Sequence, residues 1–292
     1  MVVPAVAVAA VEAAVDADAE MTKRLPKKTR VGVFGAGGRM GVAVCHAVCA
    51  DPDLELVAAV DPSFAGIDIG EVTGVTGCSF EVVGAPDGLL GSRVEVAIDF
   101  TRIEAARENL EFCAANGIHS VVGTSGFTEA DHEEIRALFD NGKGAHCVIA
   151  PNFAIGAVLM MRFAELAAPF FDTAEIIELH HDGKVDAPSG TAVATAERMA
   201  QASSNWAPDP TEKHTIAGAR GAKGPAGIPI HSVRLRGIVA HQEVILGTAG
   251  QTLSLRHDSF DRSSFMPGVV LATKRIASVP GLTIGLDAIL GL

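Results

Sequence analysis

The sequence predicts an α/β protein in two parts: a mainly parallel sheet with helices on both faces, then an α+β region built on a mixed or antiparallel sheet. Two observations predict this fold class. Apolar runs of strand length alternate with helical stretches in the first half of the chain, and strands follow one another after residue 230. Because parallel strands need a crossover between them, we expect the alternating half to form a doubly wound sheet.

The first half of the chain supplies strands and helices in turn. We expect strands over residues 30–35, 54–60, 94–100 and 119–123, and helices over residues 41–50 and 104–115. The first helix directly follows a glycine-rich turn, so the chain opens with a βα unit. This arrangement is typical of a Rossmann-like domain.

The alternation changes after Asn152. We expect helices over residues 157–168, 191–202 and 267–277, and strands over residues 174–181, 230–235, 243–247 and 252–257. Residues 203–229 are rich in Pro, Gly, Ala and Ser and predict a long irregular segment. In a compact domain such a segment usually serves function or contacts a partner.

Composition excludes several classes of partner. The chain has 292 residues, of which 48% are hydrophobic, and a formal net charge of -12 at pH 7. This length allows two domains with buried cores, and the acidity argues against nucleic acid or an anionic membrane as the main partner. No apolar run reaches the roughly 18 residues that a membrane span needs.

The first 29 residues are expected to form a flexible tail. Residues 1–20 carry four acidic side chains and no basic one, whereas a signal peptide begins with a positive region. We therefore expect a cytoplasmic protein. The five cysteines are Cys45, Cys49, Cys78, Cys113 and Cys147. None has the CxxC spacing of a zinc or redox site, so we expect reduced, mostly buried thiols and no metal ion.

The glycine-rich turn predicts a dinucleotide site. It contains a shifted GxGxxG pattern from Gly35 to Gly41, where backbone N–H groups and the helix dipole suit a pyrophosphate. Asp61, at the end of the next strand, can accept hydrogen bonds from ribose hydroxyls. The alternative is an ordinary tight turn with a surface aspartate. Asp61 favours NAD over NADP, but Arg39 can offset its charge, so the choice stays open.

Two further segments are expected at the carboxyl edge of the same sheet. Residues 100–102 follow one predicted strand, and Gly123, Thr124 and Ser125 follow the next. Ligands of open α/β sheets bind at this edge.

A second cluster of polar residues begins at the end of a predicted strand. His180, His181 and Lys184 precede a new helix, and a histidine that titrates near neutrality is a common general acid. Neighbouring residues on a strand point to opposite sides, which argues against both histidines binding one metal ion. The alternative is a solvated strand end followed by an ordinary helix.

The start of that helix predicts an anion site. Ser189 is a suitable N-cap, and the N–H groups of Gly190 and Thr191 would then be free to bind a carboxylate. Lys184 could add positive charge or a proton.

The segment from Glu178 to Ala192 is similar to the signature of the dihydrodipicolinate reductase family, Glu-x-His-His-x-x-Lys-x-Asp-Ala-Pro-Ser-Gly-Thr-Ala. The similarity covers nearly everything after residue 30. It extends to residues 31–41, 123–127, 150–153, 232–234 and 241–244, and to Gly237, His257 and Arg262.

The resemblance implies a domain organisation. Residues 30–151 and 262–292 would form the dinucleotide-binding domain, and residues 152–261 would form a substrate-binding and tetramerisation domain with a mixed sheet. The hinges would lie near Asn152 and Arg262, and the protein would be a homotetramer.

The resemblance also implies roles for individual residues. His180 would be the catalytic proton donor or acceptor and Lys184 the second proton donor. The dicarboxylate substrate would be bound by His181, Ser189, Gly190 and Thr191. The residues implied to contact the dinucleotide are Gly35, Ala36, Gly37, Gly38, Arg39, Met40, Asp61, Gly123, Thr124, Ser125, Ala150, Pro151, Asn152 and Phe153. The chain departs from some members of the family at Pro62, where they have Arg, and from many at Ser125, where they have Thr.

The activity that the resemblance implies is the reduction of 4-hydroxy-tetrahydrodipicolinate with NADH and/or NADPH, a step of lysine and diaminopimelate biosynthesis. Two other functions stay open. One is a different two-domain oxidoreductase that acts on a sugar or a semialdehyde, and the other is a non-catalytic dinucleotide sensor.

Overall fold

The structure is a computed structural model that describes residues 27–140 and 142–292. Most of the expected tail, residues 1–26, lies outside the described residues. The first strand begins at Thr29, one residue before the predicted start of that strand at residue 30. Just ahead of that strand, Lys27 forms an ion pair with Glu95 at 2.5 Å.

The first sheet consists of six parallel strands. In chain order they are β1 (Thr29–Phe34), β2 (Leu54–Val60), β3 (Val96–Asp99), β4 (His119–Val122), β5 (Cys147–Ile149) and β11 (Leu282–Ile284). Their order across the sheet is β11-β5-β4-β3-β1-β2. The helices of this half are α1 (Arg39–Ala50), α2 (Ile69–Thr73), α3 (Gly88–Gly91), α4 (Ile103–Asn116), α5 (Glu129–Phe139), α8 (Met266–Arg275) and α9 (Asp287–Leu290).

The second sheet is mixed. Its strands are β6 (Thr173–His180), β7 (Ala222–Lys223), β8 (Pro229–Arg234), β9 (Ala240–Thr248) and β10 (Gln251–Ser259), in the order β10-β9-β6-β8-β7. Only the β6–β8 pair is parallel. The fold class predicted from the sequence, a Rossmann-like sheet followed by a mixed sheet, is therefore confirmed.

Two helices cover one face of the second sheet, α6 (Ile155–Ala167) and α7 (Gly190–Ala202). Met160 and Met199 from these helices pack on Ile176 of β6. Because side chains alternate along a strand, Ile176, Glu178 and His180 share this helix-covered face. Along β10, by contrast, Thr252, Ser254 and Arg256 are exposed on the opposite side.

Helix α6 also joins the two halves of the molecule. Val158 and Met161 belong to the core of the first sheet, whereas Met160 and Ala164 belong to the core of the second. The chain returns to the first sheet at α8, where a Cβ on Gly268 would stand 2.1 Å from the Phe153 carbonyl oxygen. The strand that follows, β11, pairs with β5. The domain limits at residues 151/152 and 261/262 stay a prediction.

Seven of these elements were not predicted from the sequence: helices α2, α3, α5 and α9, and strands β5, β7 and β11. Helix α5 was missed because only Asp131, Ile135 and Phe139 are buried along it, which leaves a weak apolar pattern. Strands β5 and β11 were missed because each has only three residues. The expected irregular segment at 203–229 contains the two-residue strand β7 and one short 3₁₀ turn.

The cysteines are reduced, and Cys45, Cys113 and Cys147 are buried. Burial raises the pKa of Cys45 to about 12, so this thiol is kept neutral. Cys49 is exposed, and its sulfur lies 3.5 Å from that of Cys78, a contact that the sequence did not predict. Among the residues that the structure describes, no helix is long and apolar enough to cross a bilayer.

Candidate active site

The glycine-rich loop between β1 and α1 packs so closely against neighbouring groups that several of its positions disfavour a side chain. Gly35 has a φ of +68°, which a side chain would strain. A Cβ on Gly37 would meet the ring of Phe64 at 2.2 Å, and one on Gly41 would meet the Gly35 carbonyl oxygen at 2.0 Å. Glycine is therefore required at these positions.

Helix α1 begins without a side-chain cap. Its N-cap is Gly38, and no side chain accepts a hydrogen bond from the first turn, which contains Arg39 and Met40. The amides of a first helical turn lack intrahelical acceptors, so this end suits a phosphate. Ala36 is buried beneath the loop, whereas Gly38 and Arg39 are exposed.

Asp61 lies at the end of β2 beside this loop, as the sequence predicted. Its Oδ2 accepts a hydrogen bond from the Gly37 amide at 3.0 Å, and its Oδ1 accepts one from the Ser63 amide at 3.0 Å. A carboxylate offers about four acceptor sites, so Asp61 can still accept ribose hydroxyls. Pro62, the residue that departs from the family pattern, begins the 3₁₀ turn that places Phe64 over Gly37.

The segments expected at the carboxyl edge of the first sheet do meet there. A Cβ on Gly123 would stand 2.0 Å from the ring of Phe100. The Thr124 hydroxyl donates to the Thr101 carbonyl oxygen at 3.0 Å, while Ser125 is exposed. Thr101 in turn lies against Gly35, because a Cβ on that glycine would meet the Thr101 methyl group at 3.0 Å. The edge and the glycine loop are thus contiguous.

Asp99 supports this edge and was not singled out from the sequence. Its Oδ1 accepts from the amide and hydroxyl of Thr101, at 2.7 and 2.6 Å, and its Oδ2 accepts from Asn109 Nδ2 at 2.7 Å. Burial raises its pKa, while these hydrogen bonds act in the opposite direction. Asp99 therefore holds Thr101 in place beneath the loop.

Residues 150–153 lie where the chain leaves the first sheet. Ala150 donates to the Val122 carbonyl oxygen at 3.0 Å, and the ring centroid of Phe153 lies 5.6 Å from that of Phe100. Asn152 Oδ1 accepts from the Ala154 amide at 2.9 Å, and Pro151 is exposed. All four residues expected to contact the cofactor here belong to or adjoin the carboxyl edge.

His180 occupies the last position of β6 and lines a small, open cleft. The cleft is lined by Asn152, Ser189 and Thr191 as well. His180 Nδ1 lies 2.5 Å from Glu178 Oε2, which requires Nδ1 to carry the proton and leaves Nε2 free. Burial lowers the pKa of His180, and the neighbouring Glu178 carboxylate opposes that shift.

Ser189 caps α7 as predicted. Its Oγ accepts from the Ala192 amide at 3.2 Å, and its own amide donates to Glu178 Oε1 at 3.2 Å. Gly190 is exposed and Thr191 is half-buried at the first turn of the helix. The helix end therefore faces the same cleft as His180.

The structure does not bring Lys184 and His181 to this cleft. Lys184 Nζ lies 2.8 Å from both carboxylate oxygens of Asp186. His181 is exposed beyond the end of β6, which stops at His180 rather than at the predicted residue 181. Its amide pairs with the Val239 carbonyl oxygen. Both residues lie on the loop between β6 and α7, which connects the cleft residues His180 and Ser189.

The second sheet contributes cleft residues to which the sequence analysis gave no role. They are His241 and Gln242 from β9 and His257 and Ser259 from β10; Phe265, from the 3₁₀ turn before α8, lines the cleft as well. Gln242 Nε2 donates to the Thr195 hydroxyl at 2.8 Å, which ties β9 to α7. The family pattern at residues 241–244 and at His257 was the feature of the sequence that could have indicated these residues. In the described parts of the chain, no three His, Cys, Asp or Glu residues form a cluster that could hold a metal ion.

Comparison with known proteins identifies the family. The family model described as "Dihydrodipicolinate reductase, N-terminus" matches residues 29–153, and the one described as "Dihydrodipicolinate reductase, C-terminus" matches residues 156–290. The chain belongs to the dihydrodipicolinate reductase family. The resemblance inferred from the sequence motifs is thereby confirmed, and so is the enzyme class, an oxidoreductase of this family.

Relatives and solved structures agree with this membership. A protein of Corynebacterium urealyticum named 4-hydroxy-tetrahydrodipicolinate reductase is 48% identical over 267 residues, which cover 90% of this chain and 99% of the relative. A protein of the same name from Mycolicibacterium smegmatis is 49% identical over 264 residues, with the same coverage.

The chain is also similar to a solved structure, a dipicolinate-bound dihydrodipicolinate reductase from Paenisporosarcina sp. TG-14. It superposes with a TM-score of 0.78 at 41% identity, covering 89% of this chain and 99% of that one. An amine dehydrogenase from Mycobacterium smegmatis has a TM-score of 0.61 at only 14% identity, with coverage of 89% and 95%, and shares the fold alone.

Proposed function

We propose that this chain reduces 4-hydroxy-tetrahydrodipicolinate to tetrahydrodipicolinate with NADH and/or NADPH, a step of lysine and diaminopimelate biosynthesis. One observation carries the proposal: His180 and the uncovered N-terminal turn of α7 open onto the same cleft. A proton donor beside a carboxylate-binding helix end fits a small dicarboxylate that must be protonated. The names of the relatives support the same substrate.

A dinucleotide fits the residues of the first sheet. Gly35, Gly37 and Gly41 disfavour a side chain, and the first turn of α1 offers amides without a capping side chain. Residues 35–40 would hold the pyrophosphate, Asp61 would bind the adenosine ribose, and residues 123–125 and 150–153 would face the nicotinamide half. When bound, the reduced nicotinamide supplies a hydride to C4 of the substrate ring.

The substrate would be held by its carboxylates. The amides of Gly190 and Thr191, together with the Ser189 hydroxyl, would bind one carboxylate at the α7 terminus, and His181 would help from the preceding loop. This requires the loop carrying His181 and Lys184 to close over the cleft, because both side chains lie outside it in the present conformation. Closure would also exclude bulk water.

His180 would deliver the proton that completes the reduction. After hydride addition the ring carbon next to the new C–H bond carries excess electron density, and protonated Nε2 would give it a proton. Lys184 would balance the developing charge as a second proton donor. Before these two steps, loss of the ring hydroxyl as water would form the conjugated C4=C5 double bond that accepts the hydride at C4 and the proton at C5. Substrate, reduced cofactor and one proton would thus give product, oxidised cofactor and water.

The preference between the two cofactors depends on two residues of opposite charge. The Asp61 carboxylate repels a 2′-phosphate, whereas the exposed Arg39 guanidinium can attract one. We propose that the chain uses both cofactors and that the ratio of their efficiencies reflects this opposition.

We further propose a homotetramer in the cytoplasm. The uncovered face of the second sheet, which includes Thr252, Ser254 and Arg256, supports assembly through that sheet. Free cysteines are usual in a reducing compartment. Light scattering on the purified chain would test the tetramer.

The experiment that tests the function is turnover of enzymatically generated 4-hydroxy-tetrahydrodipicolinate with each reduced cofactor. Turnover supports the reductase. A protein that binds NADH but does not turn over this substrate would instead be a dinucleotide sensor, and one that oxidises a sugar or a semialdehyde would be a different oxidoreductase.

A further inference from the structure

The Glu178 carboxylate is completely buried on the helix-covered face of β6, with a relative exposure of 0%. A carboxylate without partners would be very unfavourable at such a place, so its hydrogen bonds decide its role. Two of them come from a guanidinium: Arg234 Nη1 donates to Oε2 and Nη2 donates to Oε1, each at 2.9 Å. This paired geometry fixes the plane of the carboxylate.

The other hydrogen bonds of Glu178 lead directly to the candidate active site. Oε2 accepts from His180 Nδ1 at 2.5 Å, and Oε1 accepts from the Ser189 amide at 3.2 Å. One carboxylate therefore contacts both the proposed proton donor and the N-cap of the helix that would bind the substrate.

Arg234 extends the same network to the loop between β6 and α7. Its Nε donates to the Lys184 carbonyl oxygen at 3.3 Å, and its Nη2 donates to the Asp186 carbonyl oxygen at 2.5 Å. The backbone that carries Lys184 is thus held by the guanidinium that also holds Glu178.

We propose that Glu178 and Arg234 are positioning residues, which fix the tautomer and orientation of His180 and hold residues 184–189 in place. The inference rests on the proposed function through the role of His180. Because Nδ1–H donates to Glu178, Nε2 is the nitrogen that can face a ligand in the cleft. Arg234 keeps the carboxylate ionised and oriented, and lowers its pKa together with Ser232 and His180 against the effect of burial.

A purely stabilising role explains these contacts less well. Replacing a buried ion pair with apolar residues of similar volume often leaves stability unchanged or raises it, so such a pair is weak evidence of a stabilising role. The same strand also carries a comparable cluster on its opposite face. There Glu175 contacts His231 Nε2 at 2.6 Å and Arg220 Nη2 at 2.5 Å, away from the cleft. Glu175 is therefore a matched control.

The ionisation of His180 reports on the proposed arrangement. Burial lowers its pKa, Glu178 raises it, and Lys184 and Arg234 lower it further. Histidines at 241 and 257 and the carboxylate of Asp258 are the other titratable groups on β9 and β10 near the cleft. The cleft residues from α6 and α7 are Ala157, Met160 and Thr191, which carry no charge. Removing the Glu178 charge should therefore lower the pKa of His180.

The test compares Glu178→Gln with Glu175→Gln in the full chain. For Glu178→Gln we expect kcat to fall about 100-fold, within the range of a lost general acid, with unchanged binding of NADH. In a nitrogen-15 NMR titration, the pKa of His180 should fall by about one unit, as expected for a lost opposite charge in direct contact. The basic limb of the kcat profile should move to lower pH by a similar amount. Glu175→Gln should change none of these.

Wild-type kcat and an unchanged pKa of His180 in Glu178→Gln would overturn the proposal, as would equal effects in both variants. If Glu178→Gln does not fold, the double variant Glu178→Gln/Arg234→Gln removes both charges of the pair. The nitrogen-15 shifts of neutral His180 then decide: loss of a fixed Nδ1–H tautomer supports the proposal, and an unchanged tautomer overturns it. The NMR titration does not need turnover. If the wild-type protein shows no turnover, the proposed function is contradicted. The positioning role is still tested, because it depends only on the pKa of His180.

Discussion

Asn152 Nδ2 lies 3.4 Å from the hydroxyl of Thr191, so a residue at the carboxyl edge of the first sheet touches the first turn of α7. Asn152 also holds the start of α6 through the Ala154 amide. The proposed nucleotide and substrate sites are thus joined by one side chain, at the place where the resemblance implies a hinge.

Removing the contact between Asn152 and Thr191 should weaken binding of the substrate more than binding of the nucleotide. We expect Asn152→Ala and Thr191→Val each to raise KM for the substrate, since both leave the α7 terminus less well placed. The double variant should show less than the sum of the two effects, with a coupling energy of about 0.5–1 kcal/mol, as for a single neutral hydrogen bond. Steady-state kinetics of the four proteins measure this coupling, and full additivity would show that the contact has no energetic role.

The glycine loop should not tolerate a side chain at Gly37. The added Cβ would stand 2.2 Å from the Phe64 ring, so the loop or the ring must move. We expect Gly37→Ala to weaken NADH binding about tenfold, equal to roughly 1.4 kcal/mol. Gly91→Ala is the control, because a Cβ there meets nothing within 4 Å. Calorimetric titration with NADH gives both values, and wild-type affinity in Gly37→Ala would show that this loop does not hold the dinucleotide.

Asp61 should set part of the cofactor preference. Asp61→Asn keeps one acceptor for the backbone amides but removes the charge that repels a 2′-phosphate. We expect the ratio of kcat/KM for NADPH to that for NADH to rise about tenfold, or roughly 1.4 kcal/mol. Arg39→Ala should move the ratio in the opposite direction. If neither variant changes the ratio, the two residues do not contact the adenosine ribose.

The N-terminus of α5 provides a prediction about stability alone. Thr128 and Asp131 form a capping box, in which the Thr128 hydroxyl accepts from the Asp131 amide and Asp131 Oδ2 accepts from the Thr128 amide. We expect Thr128→Ala to lower the free energy of unfolding by about 1 kcal/mol, and Thr128→Ser to preserve it. Denaturant unfolding measures the difference, and equal stability of both variants would show that the cap contributes nothing.

The contribution of this capping box to stability should depend on pH. The Arg107 guanidinium, followed by Thr128, holds the pKa of Asp131 well below its usual range. A carboxyl group whose folded pKa is lowered stabilises the protein above its unfolded pKa, about 3.9, and loses that contribution as pH falls. The stability difference between wild type and Asp131→Asn should therefore be constant near neutrality and shrink below about pH 4.

The sequence predicted the parts of the site that are local in the chain. The glycine loop depends on neighbouring residues between β1 and α1, and Ser189 caps the helix that begins at the next residue. These features follow from short-range sterics and hydrogen bonding, so their spacing in the sequence is informative.

Contacts between distant residues could not be predicted in the same way. Glu178 and Arg234 are 56 residues apart and meet only because β6 and β8 are adjacent parallel strands. The position of Lys184 beside Asp186 depends on the conformation of a loop, for which residue spacing gives little information. The same limitation explains why β5 and β11, three residues each, were missed although they complete the first sheet.

The proposed role of His180 as the proton donor of a reductase is tested most directly by turnover of 4-hydroxy-tetrahydrodipicolinate. Turnover is followed by the loss of NADH or NADPH absorbance in wild type, His180→Ala and Lys184→Ala. We predict rapid turnover by the wild type. We expect kcat to fall about 100-fold or more in His180→Ala and to fall substantially in Lys184→Ala as well. The affinity for NADH should be unchanged in both variants. Full activity in both variants, or no turnover by a wild-type protein that binds NADH, would contradict the account.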